Sequence, residues 1–361
     1  EDLEGPRPPL EEEPPLPLVR VIRGSPPVLV TPEEYVNTPD TGIAAVQKKL
    51  FHETGIRQAV IAAMRVPHGV VGALTLGRTD QRPFNAVEVT LLGDIARRAA
   101  LAVDNARLYE RQRAVSQTMQ RHLLPHLPTI EGLEMAARYS SAPYASEVGG
   151  DWYDAFPLPD GSTAIAVGDV AGHDLQAAAG MAQVRSMLRA FAWDYQRPPS
   201  VIVERLDHAL VHLSDGQMVT VLFARIEGPP GGPWRLRSTN AGHPPLLLIS
   251  HDNQVRFLEE EGHGPLLGTE SPITRTDAEL PLPPLTTVLL YTDGLIEEPG
   301  RSIDEGFDRL ARNAAALAHH PLGYFCDLIL ERVRPSANED DVALLAVRVP
   351  GQPAHDVSFR Q

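Results

Sequence analysis

The stretch TAIAVGDVAGHD, residues 163–174, is an apolar run that ends in an aspartate and a glycine-containing turn. Thr163–Val167 has the length and composition of a buried strand, and Asp169 stands where that strand leaves its sheet. Three further stretches share this grammar. EVGGDWYD (147–154) carries Asp151 and Asp154 after a double glycine, TTVLLYTDG (286–294) ends a strand at Asp293, and NEDDVALLAV (338–347) sets Asp340 and Asp341 before one. One aspartate at a strand end is ordinarily a turn former or a helix cap. Four such sites are harder to explain that way, because strand ends lie on a common rim where carboxylates distant in sequence converge and repel. A hard divalent cation, Mg²⁺ or Mn²⁺, relieves such repulsion with oxygen ligands, and two ions together can activate a water and clamp a phosphoryl group. Glycines at 149, 150, 168, 172 and 294 would let backbone come close to the ions.

Around these motifs the chain reads as more than one domain. Its 361 residues predict two, and 43% hydrophobic content supports a sizeable core. Strands are expected near 133–139, 152–157, 163–169, 218–226, 234–239, 245–250, 273–279, 286–292 and 341–349, and helices at 174–194, 200–213, 305–318 and 322–333. Strands in runs with paired helices predict an α+β domain of sheets packed face to face and flanked by helices. The net charge of −15 provides no basic footprint for nucleic acid or an anionic membrane. No apolar run reaches the roughly 18 residues of a membrane span. Cys326 is the only cysteine, so an intrachain disulfide and a cysteine metal cluster are excluded, and a cytoplasmic location is expected.

Taken in order, GGDWYD, VGDVAGHD, NAGHPP, YTDG and DDVALL resemble the PPM metal-dependent Ser/Thr protein phosphatases, specifically their SpoIIE-type bacterial branch. The resemblance spans about 129–349, and RHLLPHLP (121–128) is similar to that branch's lead-in. It implies an αββα sandwich with two metal ions between the paired sheets. By motif match Asp151, Asp169, Asp293 and Asp340 become metal ligands and Asp169 bridges both ions. The carbonyl of Val170 takes a position usually held by glycine, and Asp341 supports the ligands from behind. It also implies a substrate: a phosphoserine or phosphothreonine on an anti-sigma-factor antagonist. Eukaryotic-type members place a proposed general acid where Ala171 stands and a phosphate-gripping arginine where Ser146 stands; the SpoIIE-type branch commonly lacks both. His173 and His243 are the nearby candidates for an acid, each with a structural role as the alternative.

Residues 1–16 hold five prolines and six acids and read as a disordered arm, and 350–361 as a tail. Residues 17–98 read as a sensory domain, with VRVIRG (19–24) and PVLV (27–30) as short strands, a helix at 42–54, and strands at 57–66 and 69–78. VPHGVVGALTLG (66–77) followed by ARRAALAVDNARLYER (96–111) resembles the later part of a GAF domain, with the opening portion hard to find. The helix expected over 86–124, which runs into the helical linker 99–128, carries a seam at Leu92, Ile95, Ala99, Ala102, Ala106 and Tyr109. Two copies could pair along it into a homodimer, or the same face could pack on strands 57–78. Two other readings compete with the phosphatase. Cys326 to Arg332 fits C-x5-R, but the intervening DLILE has no glycine and helical periodicity. The second is a catalytically weak partner-binding or small-molecule sensor protein.

Overall fold

The computed structural model describes residues 16–36, 42–141, 149–172, 175–213, 217–229, 232–259, 262–269, 273–335 and 340–351. The chain divides into two compact units, Glu1–Arg111 and Gln112–Gln361. The first contains α1 (Pro17–Arg23), β1 (Val28–Val30), α2 (Gly42–Thr54), β2 (Gln58–Val66), β3 (Gly69–Arg78) and the start of α3 (Ala86–Leu123). Its three strands form an antiparallel sheet in the order β1-β2-β3.

VRVIRG, expected as a strand, is the helix α1. Pro17 fits the first turn, where its fixed φ and missing N–H cost nothing, and Gly24 at φ 134° closes the end by donating to the carbonyls of Arg20 and Val21. Start and stop signals override the β-branched composition, and Val19 and Val21 are buried on the sheet side of the core. The start of α3 is a capping box: Asn85 Oδ1 accepts from Glu88 N, and Glu88 Oε2 accepts from Asn85 N, both at 2.9 Å.

The expected seam of α3 divides between two faces. Leu92 and Ala96 pack with Val60 and Ala62 of β2, whereas Ile95, Ala102, Ala106 and Tyr109 are exposed. The inner face therefore runs through Val89, Leu92, Ala96 and Ala100, a one-residue shift from the expected register at Ile95 and beyond. The shift follows from Val89 and Ala96 reaching the sheet at spacings of three and four from Leu92.

The second unit contains β4 (Glu134–Ser140), β5 (Trp152–Pro157), β6 (Thr163–Val170), α4 (Leu175–Tyr195), α5 (Pro199–Leu213), β7 (Val219–Glu227), β8 (Trp234–Ala241) and β9 (Leu247–Ile249). It continues through β10 (Val255–Phe257), β11 (His263–Gly264), β12 (Ala278–Leu282), β13 (Thr287–Tyr291), α6 (Ile303–Leu317), α7 (Leu322–Val333) and β14 (Val342–Arg348). One sheet has the order β10-β9-β13-β14-β4; the other has β11-β8-β7-β6-β5, with β12 pairing β8.

Three apolar layers hold this unit together. Between the sheets lie Ile165, Val167, Leu222, Leu290 and Leu345. Outside one sheet α4 and α5 bury Met181, Val184, Leu188, Ile202 and Leu206 against Trp152 and Phe223. Outside the other, Leu310, Phe325 and Ile329 from α6 and α7 pack on Leu289, Tyr291 and Leu344. This is a four-layer helix–sheet–sheet–helix sandwich. β6 and β13 are buried along nearly their whole length because each is covered on both faces, which explains why they read as continuous apolar runs.

The strand expected over 273–279 begins only at Ala278. The residues before it are held by α5 instead: Ser200 N and Oγ donate to Asp277, Arg275 N donates to Glu204, and the Arg275 guanidinium meets Asp207 at 2.9 Å.

Candidate metal centre

The antiparallel pairing of β5 with β6 matches Trp152 to Gly168, so Asp151 and Asp169 sit side by side one step further along that ladder. β13 ends at Tyr291, two residues before Asp293, and lies next to β14, which starts two residues after Asp340. Sheet topology thus delivers all four predicted positions to one rim of the sandwich. Asp151, Asp169 and Asp293 each place a carboxylate oxygen within 4.8 Å of the others. Asp340 is outside this trio but within electrostatic reach of all three; its own Oδ1 accepts from the Asp341 N–H at 2.8 Å.

Three carboxylates this close repel by on the order of 3 kcal/mol per pair at an effective dielectric near 20. Burial adds to the penalty on the ionised form. The Asp151 carboxyl is therefore held well above the usual carboxylate range by burial first and then by Asp169 and Asp293. Burial and the charges of Asp293 and Asp340 push Asp169 up to about 7, and burial with Asp340 pushes Asp293 up to about 6. A donor set of hard oxygens whose mutual repulsion is uncompensated by any cation in ion-pair contact with these three groups, among the described residues, fits a divalent metal such as Mg²⁺ or Mn²⁺.

The backbone is shaped to the same point. A Cβ on Gly150 would lie 2.0 Å from the Val170 carbonyl oxygen and 2.8 Å from Asp169 Oδ1, so only glycine lets those two oxygens stand where they do. The Val170 carbonyl consequently faces the same cradle as the Asp169 carboxylate. Gly149 is excluded from bearing a side chain by Asp341, whose Oδ2 would be 1.4 Å from its Cβ.

Neutral donors brace these acids. Thr292 Oγ1 donates to Asp151 Oδ2 at 2.6 Å while accepting from Ala343 N at 2.8 Å, which ties Asp151 on one sheet to β13 and β14 on the other. Tyr139 Oη donates to Asp341 Oδ2 at 2.9 Å, placing Asp341 behind the cluster. Arg334, at the end of α7, donates to Ser140 Oγ, Ser141 O and Asp340 O at 2.5, 3.3 and 3.0 Å, joining the end of β4 to the Asp340 turn. Thr292, Tyr139 and Arg334 were not anticipated. The one signal in the sequence was the hydroxyl of Thr292 between an apolar run and Asp293.

Other predicted chemistry lies elsewhere. Asp154 is not in the cluster: it is fully buried and receives two hydrogen bonds from Arg189, at 2.5 and 2.6 Å, so its charge is neutralised within the fold. His243 is buried with both ring nitrogens engaged, one by Thr220 Oγ1 at 2.8 Å and the other by the Tyr291 carbonyl at 3.0 Å, which leaves neither nitrogen free to serve a leaving group. His173 and Ser146 lie outside the described residues. Cys326 is buried inside α7, and burial pushes its thiol up to about 12, which removes the Cys-dependent reading.

Comparison with known proteins agrees with this geometry. The profile of the family described as Stage II sporulation protein E (SpoIIE) matches residues 159–350, just over half of the chain. Protein IcfG of Synechocystis sp. (strain ATCC 27184 / PCC 6803 / Kazusa) is 29% identical over 207 residues, covering 50% of this chain and 31% of that protein. This chain thus spans about a third of that relative's length. Among solved structures, the RsbU and RsbW domains of Rv1364c from Mycobacterium tuberculosis superpose with a TM-score of 0.56 at 32% identity over 63% of each chain. The SiaA-PP2C domain of Pseudomonas aeruginosa gives a TM-score of 0.56 at 22% identity, covering 68% of this chain and 98% of that domain. The chain belongs to the SpoIIE family, and its larger unit shares the fold of a PP2C domain.

Proposed function

We infer that this protein hydrolyses a phosphoserine or phosphothreonine on a regulatory protein, with Mn²⁺ or Mg²⁺ held in pairs by Asp151, Asp169, Asp293, Asp340 and the Val170 carbonyl. The observation that carries this reading is the trio Asp151, Asp169 and Asp293 drawn together on one rim. When bound, the ions supply a water activated at neutral pH and positive charge for the phosphoryl oxygens. The chain's own residues prepare for that: Thr292 fixes the orientation of Asp151, Gly150 keeps the cradle open, and Tyr139 holds Asp341 behind the ligands. The direct test is hydrolysis of a generic aryl phosphate with Mn²⁺. Activity should vanish with a chelator and fall to near background in Asp169→Ala; equal rates for Asp169→Ala and the parent would sink the reading.

The substrate class rests on the motif resemblance, and the similarity to a Mycobacterium tuberculosis protein with RsbU and RsbW domains supports it. On this reading the phosphoprotein is an anti-sigma-factor antagonist met in the cytoplasm. Phosphorylated antagonists from the source organism should be dephosphorylated in preference to unrelated phosphoproteins.

The first unit is read as a GAF-like sensory region, on the strand–turn–strand of β2 and β3 followed by α3. Ile95, Ala102, Ala106 and Tyr109, exposed along α3, suit pairing of two copies. Ala102→Glu should then convert a dimer to a monomer and change the phosphatase rate; Gln217→Glu is no neutral control, because Gln217 is half-buried against Gly180, whereas Gln254→Glu at an exposed position should do neither. A monomeric parent at tens of micromolar in light scattering would overturn the pairing.

A further inference from the structure

His243 belongs to the sequence NAGHPP, and neither the metal ligands nor any proton transfer makes use of it. Its surroundings are nevertheless specific. It is 2% exposed. Its backbone is locked by Asn240, whose Oδ1 accepts from His243 N and whose Nδ2 donates to His243 O, each at 2.8 Å. The ring then spans the two sheets. The Tyr291 carbonyl can only accept, so Nε2 carries the proton and donates to it; Nδ1 is left as an acceptor for the Thr220 hydroxyl. Burial pulls the His243 pKa down to about 3, in keeping with a ring that stays uncharged and in this single tautomer.

Both partners lie next to the metal centre. Thr220 on β7 is the register partner of Asp169 on β6. Tyr291 is the last residue of β13, directly before Thr292, which bonds Asp151, and Asp293. One imidazole therefore touches the strand beside one carboxylate and the strand end that carries another, on opposite sheets.

We propose that His243 is a positioning residue for the metal centre, a strut that sets Asp169 through Thr220 and Asp293 through Tyr291. The proposal rests on the metal-dependent reading above. Residues that orient ligands from one bond away typically change metal affinity by 10–100-fold when removed. Deleting the strut should loosen the distance between the two sheets at the rim while leaving the buried apolar layers in place.

The test uses the full chain with Mn²⁺ as the probe. Thr220→Val removes the hydroxyl at nearly constant volume, Thr220→Ser retains it, and His243→Leu removes both ring bonds. Mn²⁺ affinity by titration calorimetry, the metal-free thermal midpoint, and KM for an aryl phosphate at saturating Mn²⁺ are measured for each. Thr220→Val and His243→Leu should bind Mn²⁺ about tenfold or more weakly, with KM unchanged, and Thr220→Ser should bind like the parent. A merely structural role would lower the midpoint of all the impaired variants without changing affinity. Should His243→Leu fail to fold, the two Thr220 variants decide the matter. Parental affinity in Thr220→Val, or equal losses in Thr220→Val and Thr220→Ser, would overturn the proposal. A parent that binds no Mn²⁺ would overturn the metal reading itself.

Discussion

Gly150→Ala adds a single methyl group at a point where the backbone leaves no room for one. The new Cβ would stand 2.0 Å from the Val170 carbonyl oxygen and 2.8 Å from Asp169 Oδ1. Ordinary non-bonded separations between heavy atoms are about 3.5 Å, so something must give by more than about 1 Å. The first obstacle is backbone, not the end of a flexible side chain, and its strand is bonded to β5 and β7 on both sides. Overpacking of this kind costs about 1–3 kcal/mol, which corresponds to a drop of roughly 2–12 °C in midpoint for a domain of this size. A misplacement of about 1 Å at a reacting centre costs about 100-fold in rate. Melting curves and Mn²⁺-dependent aryl phosphate hydrolysis, measured side by side, should show a modest stability loss with a disproportionate loss of activity. Gly72→Ala is the control, since its Cβ would meet only Met64 Sδ at 3.5 Å, an ordinary contact. A Gly150→Ala protein with parental rate and metal affinity would refute the argument that the cradle is shaped by that close approach.

The remaining expectations concern charge and burial. Asp169 and Asp293 are held near 7 and 6, above the value of about 4 for an unfolded carboxylate, so the metal-free fold binds more protons than the unfolded chain and loses stability as pH rises through that window. Metal requires the ionised forms, so Mn²⁺ should raise the melting temperature more at pH 8 than at pH 5.5; equal shifts at the two values would contradict this. Thr292→Val leaves Asp151 and the Ala343 N–H without their shared hydroxyl and should cost about 1–3 kcal/mol in chemical denaturation together with weaker Mn²⁺ binding. Arg275→Leu strands the carboxylate of Asp207, since the pair's side chains are 1% and 10% exposed, and should destabilise by about 3–5 kcal/mol without altering Mn²⁺ affinity in whatever fraction stays folded. Cys326→Ser should keep the parental rate, because the thiol is buried in α7 and takes no part in the chemistry.

The motifs of Asp169, Asp293 and Asp340 were legible because the strands beside them, β6, β13 and β14, are dominated by apolar runs with clear ends, whereas β5 beside Asp151 is interrupted by Asp154. Asp169 and Asp293 could be placed on a rim from that pattern alone. The helices of the second unit were equally readable, as in α4, where Ala177, Met181, Val184 and Leu188 mark one face and are all buried. What failed was local or long-range. α1 was hidden because its Val and Ile content favours a strand, and only Pro17 and Gly24 indicate otherwise. β10 and β11, of three and two residues, are too short to generate any period. Asp154 shares its stretch with Asp151 and differs only in having Arg189, 35 positions away, opposite it. No local pattern records which acid receives an arginine.

That difference separates the acids of this fold into two kinds. Asp154, Asp160, Asp207 and Asp327 each face an arginine: Arg189, Arg225, Arg275 and Arg138 respectively. Each pair cancels its own charge, Asp154 and Asp207 inside the protein and Asp327 at its surface. Asp151 is instead held by the hydroxyl of Thr292, and Asp293 by the N–H of Gly294, donors that fix geometry without neutralising anything. An arginine at those positions would lower the repulsion among Asp151, Asp169 and Asp293, but it would compete with any cation for the same oxygens. The guanidinium of Arg334 bonds Asp340 through the backbone carbonyl at 3.0 Å. A cluster of buried carboxylates braced by neutral groups is costly to the fold once ionised, and binding a divalent cation offsets that cost while supplying the chemistry. The same logic assigns His243 its place: an uncharged strut can join two sheets beside three carboxylates without weakening their claim on a metal.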